Sequence, residues 1–297
     1  MDDENRASAP TADNSGVYHL RLKSGDVPPY AILPGAPERT EIIASYWKDV
    51  RQVASYREFK TVTGAYEGVR IGCTSTGIGG PSSEICINEL NKVGVHTCIR
   101  VGTTGCIVPD YDLGDLIIPA AAVRGDGTSD SYIGSGYPAY ADPWVVMALS
   151  AACDRLGYRY GIGLAYTSAS FYIGQARPLN EDGTGYWPSA AEHLIPDLAQ
   201  AGVTNIEMET AAQFVVGRLH GMRMGAVLSV ISNRVTDRWG DAGGEARSAR
   251  AAAEALRILN GWDRDGIINF NVAMPPMRPQ RVGDGGGSAG KQNGGEM

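Results

Sequence analysis

The sequence predicts a three-layer αβα single domain around a central mixed β-sheet. Three observations carry this: short β-rich runs interleave with helical patterns, one run is apolar almost throughout, and no linker-like break or repeat divides the chain. "YAILPG" (30–35) reads as a strand closing on a Pro-Gly turn, and "VRIGCTST" (69–76) as a second strand. The Gly-rich corner "GIGGPSS" (77–83) follows, and its Pro81 suits the first turn of a helix running through Ile85 and Leu90 toward Gly94. "HTCIRVG" (96–102), "GDLIIPAAAV" (114–123) and "YGIGLAYTSAS" (160–170) read as further strands, with "PWVVMALSAACDRLG" (143–157) as a glycine-stopped helix before the last of them. Residues 208–219 set Met208, Ala211, Ala212, Val215 and Leu219 on one helical face. "MRMGAVLSVIS" (222–232) has the continuous apolarity of a strand covered on both faces, and "GEARSARAAAEALRIL" (244–259) is a strong helix former. Residues 1–16 are expected to form a flexible polar tail, 17–275 the single folded domain, and 276–297 a disordered Gly-rich tail.

The chain has 297 residues, 43% of them hydrophobic and 20% charged, which is ordinary for a globular protein with a substantial core. A net charge of −7 without a Lys/Arg block argues against nucleic acid and anionic membrane as partners. Cys73, Cys86, Cys98, Cys106 and Cys153 form no C-x-x-C pair, and their odd number suits small buried hydrophobes in a reducing compartment. The acidic N-terminus lacks the apolar core of a signal peptide, and no run approaches the ~18 apolar residues of a membrane helix. A soluble, cytoplasmic protein is expected.

Loops at strand ends are where such a fold places a small ligand. In "IRVGTTG" (99–105), Arg100 ends a buried run, and a buried arginine requires an anionic partner. The following Gly-Thr-Thr-Gly is read as a tight turn, whose amides and hydroxyls would complete a phosphate cradle. A plain strand-end turn with Arg100 paired to a carboxylate is the alternative. "LPGAPERT" adds Gly35 and Arg39 after a strand; "SYREFK" holds Arg57 and Glu58; "FYIGQAR" ends a strand with Phe171, Gln175 and Arg177; "IEMETAA" sets Glu207 and Glu209 at a helix start; and "ISNR" closes the long apolar strand. Each also has a plain reading: surface ion pairs for Arg39 and Arg57, macrodipole complementation for the glutamates, and a polar loop for Gln175 and Arg177.

Together, in this order and spacing, "HL…LPGAPER…REF…STGIGGPS…RVGTTG…FYIGQAR…EMET…ISNR" resembles the nucleoside phosphorylase-I family over about residues 17–260, most closely its members that act on uridine. The resemblance implies a nucleoside phosphorylase-like fold and a pentosyltransferase that reversibly splits uridine into uracil and ribose 1-phosphate. Phosphate, the co-substrate, attacks C1′ as the base leaves from the other side. The transition state is ribosyl-cation-like, so the enzyme positions reactants and stabilises charge, with no cofactor for catalysis. Arg100, Glu209 and Arg177 are then the catalytic set. Gly35, Arg39, Arg100 and Thr103 hold phosphate, with Arg57 reaching in from a neighbouring subunit. His19 of a partner copy, Thr104, Glu207, Met208 and Glu209 surround the ribose. Phe171, Gln175, Arg177, Ile231 and Arg234 receive the base. A homodimer, or a hexamer built as a trimer of dimers, follows from a site shared between chains. A structural cation between subunits would sit at Glu58, Ile78 and Ser82.

Gln175 and Arg177 match the O2, N3–H and O4 edge of uracil. Purine-specific relatives carry an aspartate just after the serine that ends this strand, whereas this chain has Ser232-Asn233-Arg234. A purine or broad-specificity phosphorylase, a hydrolytic nucleosidase and a non-catalytic binding or storage protein of the same fold remain as alternatives. Residues 134–143 and 178–200 match no motif. The segment after Arg234, with Trp239, would form a flap over the base.

Overall fold

The computed structural model describes residues 10–11 and 16–268. Most of the expected N-terminal tail and all of 276–297 lie outside the described residues. β1 (Tyr30–Pro34) is buried along its length and leads into α1 (Glu38–Ala44). β2 (Lys48–Tyr56), β3 (Phe59–Tyr66) and β4 (Val69–Thr74) form an antiparallel meander. The sequence predicts no element over 48–66: β2 is a mostly exposed edge strand without an apolar alternation, whereas β3 is mostly buried. α2 (Gly80–Lys92) starts after Gly79, whose φ of 84° suits glycine, and carries Pro81 in its first turn as predicted.

β5 (Thr97–Cys106) and β6 (Leu116–Gly125) follow, then the short β7 (Ala139–Tyr140) and α3 (Pro143–Leu156). Asp142 caps α3 by accepting from the amides of Trp144 and Val145, and Gly157 ends it in the left-handed region. β8 (Tyr160–Ser168), α4 (Ser189–Gln200), β9 (Val203–Glu207), α5 (Thr210–Leu219), β10 (Arg223–Asn233), β11 (Arg238–Trp239) and α6 (Gly244–Arg264) complete the described fold. α4 accounts for part of the unassigned 178–200.

The sheet runs β11-β10-β6-β8-β9-β5-β1-β4-β3-β2 and mixes parallel with antiparallel pairs. β10 pairs with β5 as well as β6, so β5, β10, β6, β8 and β9 close on one another and β1 to β4 extend outward. Alternation along the central strands feeds two layers. Ile99, Val101 and Val227 pack with Leu149 and Ala152 of α3 and Leu256 and Leu259 of α6. Cys98, Ala226 and Leu228 pack with Ile87 and Leu90 of α2 and Phe214 and Val215 of α5. Each large side chain fully buried in this way contributes about 1.5–3 kcal/mol. All five cysteines are free and buried, and burial pushes the Cys153 thiol up to about 12, which suits packing rather than nucleophilic chemistry. No helix among the described residues is long and apolar enough to cross a membrane.

Candidate active site

The Gly-Thr-Thr-Gly segment is not the tight turn expected from sequence: β5 runs straight through it to Cys106. A glycine-flanked threonine pair is compatible with extended backbone once both neighbours supply ladders. β1 pairs with 97–101 and β9 with 105–106, while β10 follows the whole strand. Residues 102–104 therefore have a ladder partner on one side only. Beside this gap, at the carboxyl end of β1, lies a cavity of about 240 Å³ lined by Gly35, Arg39, Arg100, Thr103, Gln175, Arg177 and Glu209 among others. This is where a ligand site is expected in a sheet whose strand order switches.

Arg100 shares the parity of Cys98 and so points toward the start of α5. It is 3% exposed. A Cβ on Gly102 would stand 2.7 Å from Arg100 Nη2, so the glycine gives the guanidinium room to lie along its own strand. Arg100 Nε donates to Glu207 Oε2 at 3.1 Å, and Nη2 lies 2.5 Å from Glu209 Oε2. The ion-paired alternative thus describes Arg100 correctly, but the pair faces the cavity.

The two glutamates differ. Glu207 Oε2 also accepts from the amides of Glu209 (2.9 Å) and Thr210 (2.8 Å), and its Oε1 accepts from the Thr167 hydroxyl at 2.5 Å. Its carboxylate is held by protein groups, at the start of α5 and against Arg100, and Glu207 also lines the cavity. Glu209 Oε1 accepts from the Gly79 amide at 2.7 Å, and its carboxylate borders the cavity beside Met208. Burial raises the Glu209 pKa; the Arg100 charge opposes that shift and Glu207 adds to it.

Arg39 lines the same cavity and is tied to Glu245 of α6 at 2.7 Å. Thr104 also lines it, but its hydroxyl donates to Ile206 O (2.7 Å) and accepts from Asn205 Nδ2 (2.8 Å), so it fixes β5 against β9 and has no proton left for a sugar.

At the other end, β8 stops at Ser168, short of the predicted strand end, and "FYIGQAR" forms a loop with a 3-10 turn at Ile173–Gln175. Arg177 donates to Gln175 Oε1 and to Phe171 O, and its guanidinium lies 4.2 Å from the Phe171 ring centroid. Burial and the nearby Arg234 charge lower Arg177 to about 10. Arg234 is not among the cavity residues. It donates to Gln175 O (2.8 Å) and Ala176 O (2.9 Å), holding the loop that carries Gln175 and Arg177. Ala176 sits at a φ of 49°, a conformation that needs such support.

Asn233 stands where purine-specific relatives place their acid. Its amide donates to Tyr111 O (2.7 Å) and its oxygen accepts from the amides of Val235 (2.9 Å) and Thr236 (3.1 Å), directing it away from the cavity. Phe171 and Ile231 line the cavity as predicted, and Ala36, Gly105, Ile206, Ser232 and Trp239 join them. Trp239, 65% exposed, is carried by β11, whose ladder sets it opposite Ser232.

The residues expected from a partner copy stand elsewhere in this chain. His19 Nδ1 lies 2.8 Å from Glu89 Oε1, and the Arg57 guanidinium lies over Tyr56 at the β2–β3 turn. Ser82 donates to Glu58 Oε1 at 3.0 Å, and the nearby Ile78 is 77% exposed. A larger cavity of about 630 Å³ holds Tyr30, His96, Arg218, Arg223, Asp142 and Asp263. There Arg223 is bound to Asp263, with contacts of 2.8 and 2.6 Å.

Arg39 and Arg100 thus border one end of the cavity, and the Gln175–Arg177 pair borders the other. The family model of the phosphorylase superfamily matches residues 29–261, and the chain belongs to that superfamily. It is 49% identical to a uridine phosphorylase of Thermococcus kodakarensis over 260 residues, 87% of this chain and 92% of that one. A uridine phosphorylase of Haemophilus influenzae is 39% identical over 74% of this chain and 87% of its own length. A guanosine phosphorylase of Halorubrum lacusprofundi is 35% identical over 73% of this chain and 83% of its own.

Proposed function

We propose that this chain is a uridine phosphorylase, a pentosyltransferase that converts uridine and phosphate reversibly into uracil and ribose 1-phosphate. The observation that carries the reading is the Arg100–Glu209 pair at the open edge of β5, facing Gln175 and Arg177 across one cavity. Arg100, Arg39, Thr103 and the Gly35 backbone hold phosphate. Arginine suits this because its fork fixes two oxygens at once. Glu209 accepts from ribose hydroxyls beside Met208, and so holds C1′ in line with the attacking oxygen. Arg177 and Gln175 bind the uracil edge, where charge develops as the glycosidic bond breaks, and such contacts tighten in the transition state. No proton donor is needed for a base that leaves as a stabilised anion, in keeping with the outward-turned Asn233.

The pocket of one chain lacks His19 and Arg57, and a partner copy would supply them, His19 at the 5′-hydroxyl and Arg57 at phosphate. A homodimer is then the smallest working unit. A cation at the subunit boundary would rest on Glu58, Ser82 and the Ile78 carbonyl. A purine substrate is the second reading, favoured by the guanosine phosphorylase relative. A panel of uridine, thymidine, inosine and guanosine, with product identification, tests the assignment. Uracil and ribose 1-phosphate as the fastest products are expected; faster cleavage of inosine or guanosine would reject it.

A further inference from the structure

The predicted motif ISNR is accounted for at Asn233 and Arg234, but not at Ser232. Ser232 is 4% exposed, and its Oγ has no hydrogen-bond partner among the described residues. A buried hydroxyl without a partner costs free energy unless a ligand or water satisfies it. Ser232 also lines the cavity.

The backbone is arranged to put it there. The β10–β5 ladder pairs Val230 with Thr104 but Ser232 with Gly105, so Ile231 is an extra residue on β10. This bulge breaks the strict alternation of faces, and the consecutive residues Ile231 and Ser232 both line the cavity, with Ser232 Oγ buried at its wall. Across the ladder, a Cβ on Gly105 would lie 2.9 Å from Ser232 Oγ and 3.8 Å from Arg177 Nη2. The glycine thus keeps open the space that the hydroxyl and the guanidinium border together. Arg177 is itself placed over Phe171, at the base end of the pocket.

We infer that Ser232 is a specificity-determining residue that reads the base: its hydroxyl donates a hydrogen bond to a ring keto oxygen of the pyrimidine, beside Arg177. This rests on the assignment of uridine as substrate. The bulge and Gly105 are the devices that present the hydroxyl, and the rest of the residue's polar capacity is tied up in the ladder. A donor aimed at an oxygen that gains negative charge during bond cleavage acts more strongly on the transition state than on bound uridine. A base carrying an amino group at the same place offers no acceptor and leaves the hydroxyl unpaired, and sites of this kind discriminate strongly.

The test compares wild type with Ser232→Ala on uridine, 2-thiouridine and the 2-pyrimidinone riboside that lacks the 4-oxygen. Ser232→Ala is expected to lower kcat/KM on uridine about tenfold, mostly in kcat. That loss should shrink to less than about twofold on one of the two altered substrates and persist on the other. The phosphate KM and Tm should stay at wild-type values, which separates base reading from general damage. An equal loss on all three substrates, or no loss on uridine, overturns the inference. Wild-type enzyme that fails to cleave uridine at all would instead overturn the substrate assignment beneath it. Ser232→Thr keeps the hydroxyl, and recovery of at least a third of wild-type activity is expected if its added methyl turns away from Gly105. Where Ser232→Thr folds but falls to the alanine level on uridine, the hydroxyl does not act as a donor and the inference fails.

Discussion

The two ends of the cavity are built differently. The anion end rests on β5 and the first turn of α5, and its buried charged groups are fixed by others: Arg100 by Glu207 and Glu209, Glu207 by two amides and Thr167, and Glu209 by Gly79. The base end rests on the loop after β8, on a left-handed Ala176 pinned by Arg234, and on a tryptophan exposed on β11. On the proposed assignment, the groups that hold a dianion against C1′ sit on elements that cannot shift without breaking the core. Recognition of the leaving group sits on loops, where substitution can change the substrate without unfolding the protein.

If that contrast holds, damage at the anion end should abolish turnover and damage at the base end should redistribute it. The largest effect is expected from Arg100→Ala. Losing the guanidinium leaves two buried carboxylates facing each other, so activity should fall on the order of 10³-fold or more and Tm should drop, because breaking a buried pair costs about 3–5 kcal/mol. Arg100→Lys keeps the charge and loses the fork; it should fold, and lose about 10²-fold mainly through phosphate. Phosphate saturation near wild type in that variant would dissolve the cradle. Steady-state kinetics with varied phosphate, alongside thermal melts, separate the two.

Next in size is Glu209. Its carboxylate pairs with Arg100 and is proposed to accept from the sugar in its ionised form, and its pKa is raised by burial. kcat/KM should therefore fall on the acid side through a pH above the ordinary ~4.3 of a free glutamate. Glu209→Gln should lose about 10²-fold and lack that limb. The sign for stability is opposite. A raised folded-state pKa contributes stability at low pH that is lost as pH rises through it, so Glu209→Gln should not lower Tm at neutral pH. A pH–rate profile with melts at two pH values checks both, and an unchanged acid limb in the glutamine variant would remove Glu209 from the sugar site.

At the base end, Arg177→Ala should cost uridine about tenfold or more and inosine less. Equal losses would make the loop a scaffold and erase the contrast. Smallest is Trp239→Ala, for which about a threefold rise in the uridine KM is expected, with phosphate kinetics untouched. Parallel assays of the two nucleosides resolve these effects.

Legibility from sequence follows the same division. The apolar β10, the Pro81 start of α2 and the Gly157 stop of α3 announce themselves through periodicity and caps. The exposed β2 does not, since an edge strand buries too little to leave a pattern. Among site residues, arginines and glutamates in strand-end motifs were recoverable from their types and order. What each carboxylate touches was not, because Glu207 and Glu209 are alike in sequence and only the geometry of α5 gives one its two amides and Thr167 and the other the Gly79 amide. The extended Gly-Thr-Thr-Gly was misread as a turn, since its neighbours β1, β9 and β10 come from far along the chain. Ser232 left only a weak trace, a hydroxyl closing an apolar run, and the bulge that turns it inward is a property of strand pairing.

The most direct test of the phosphate pocket is uracil release from uridine as a function of phosphate concentration, with ribose 1-phosphate measured in the same tubes. Saturable dependence on phosphate, with one ribose 1-phosphate formed per uracil and no release in its absence, is the predicted result. Release at an unchanged rate without phosphate, giving free ribose, would contradict it.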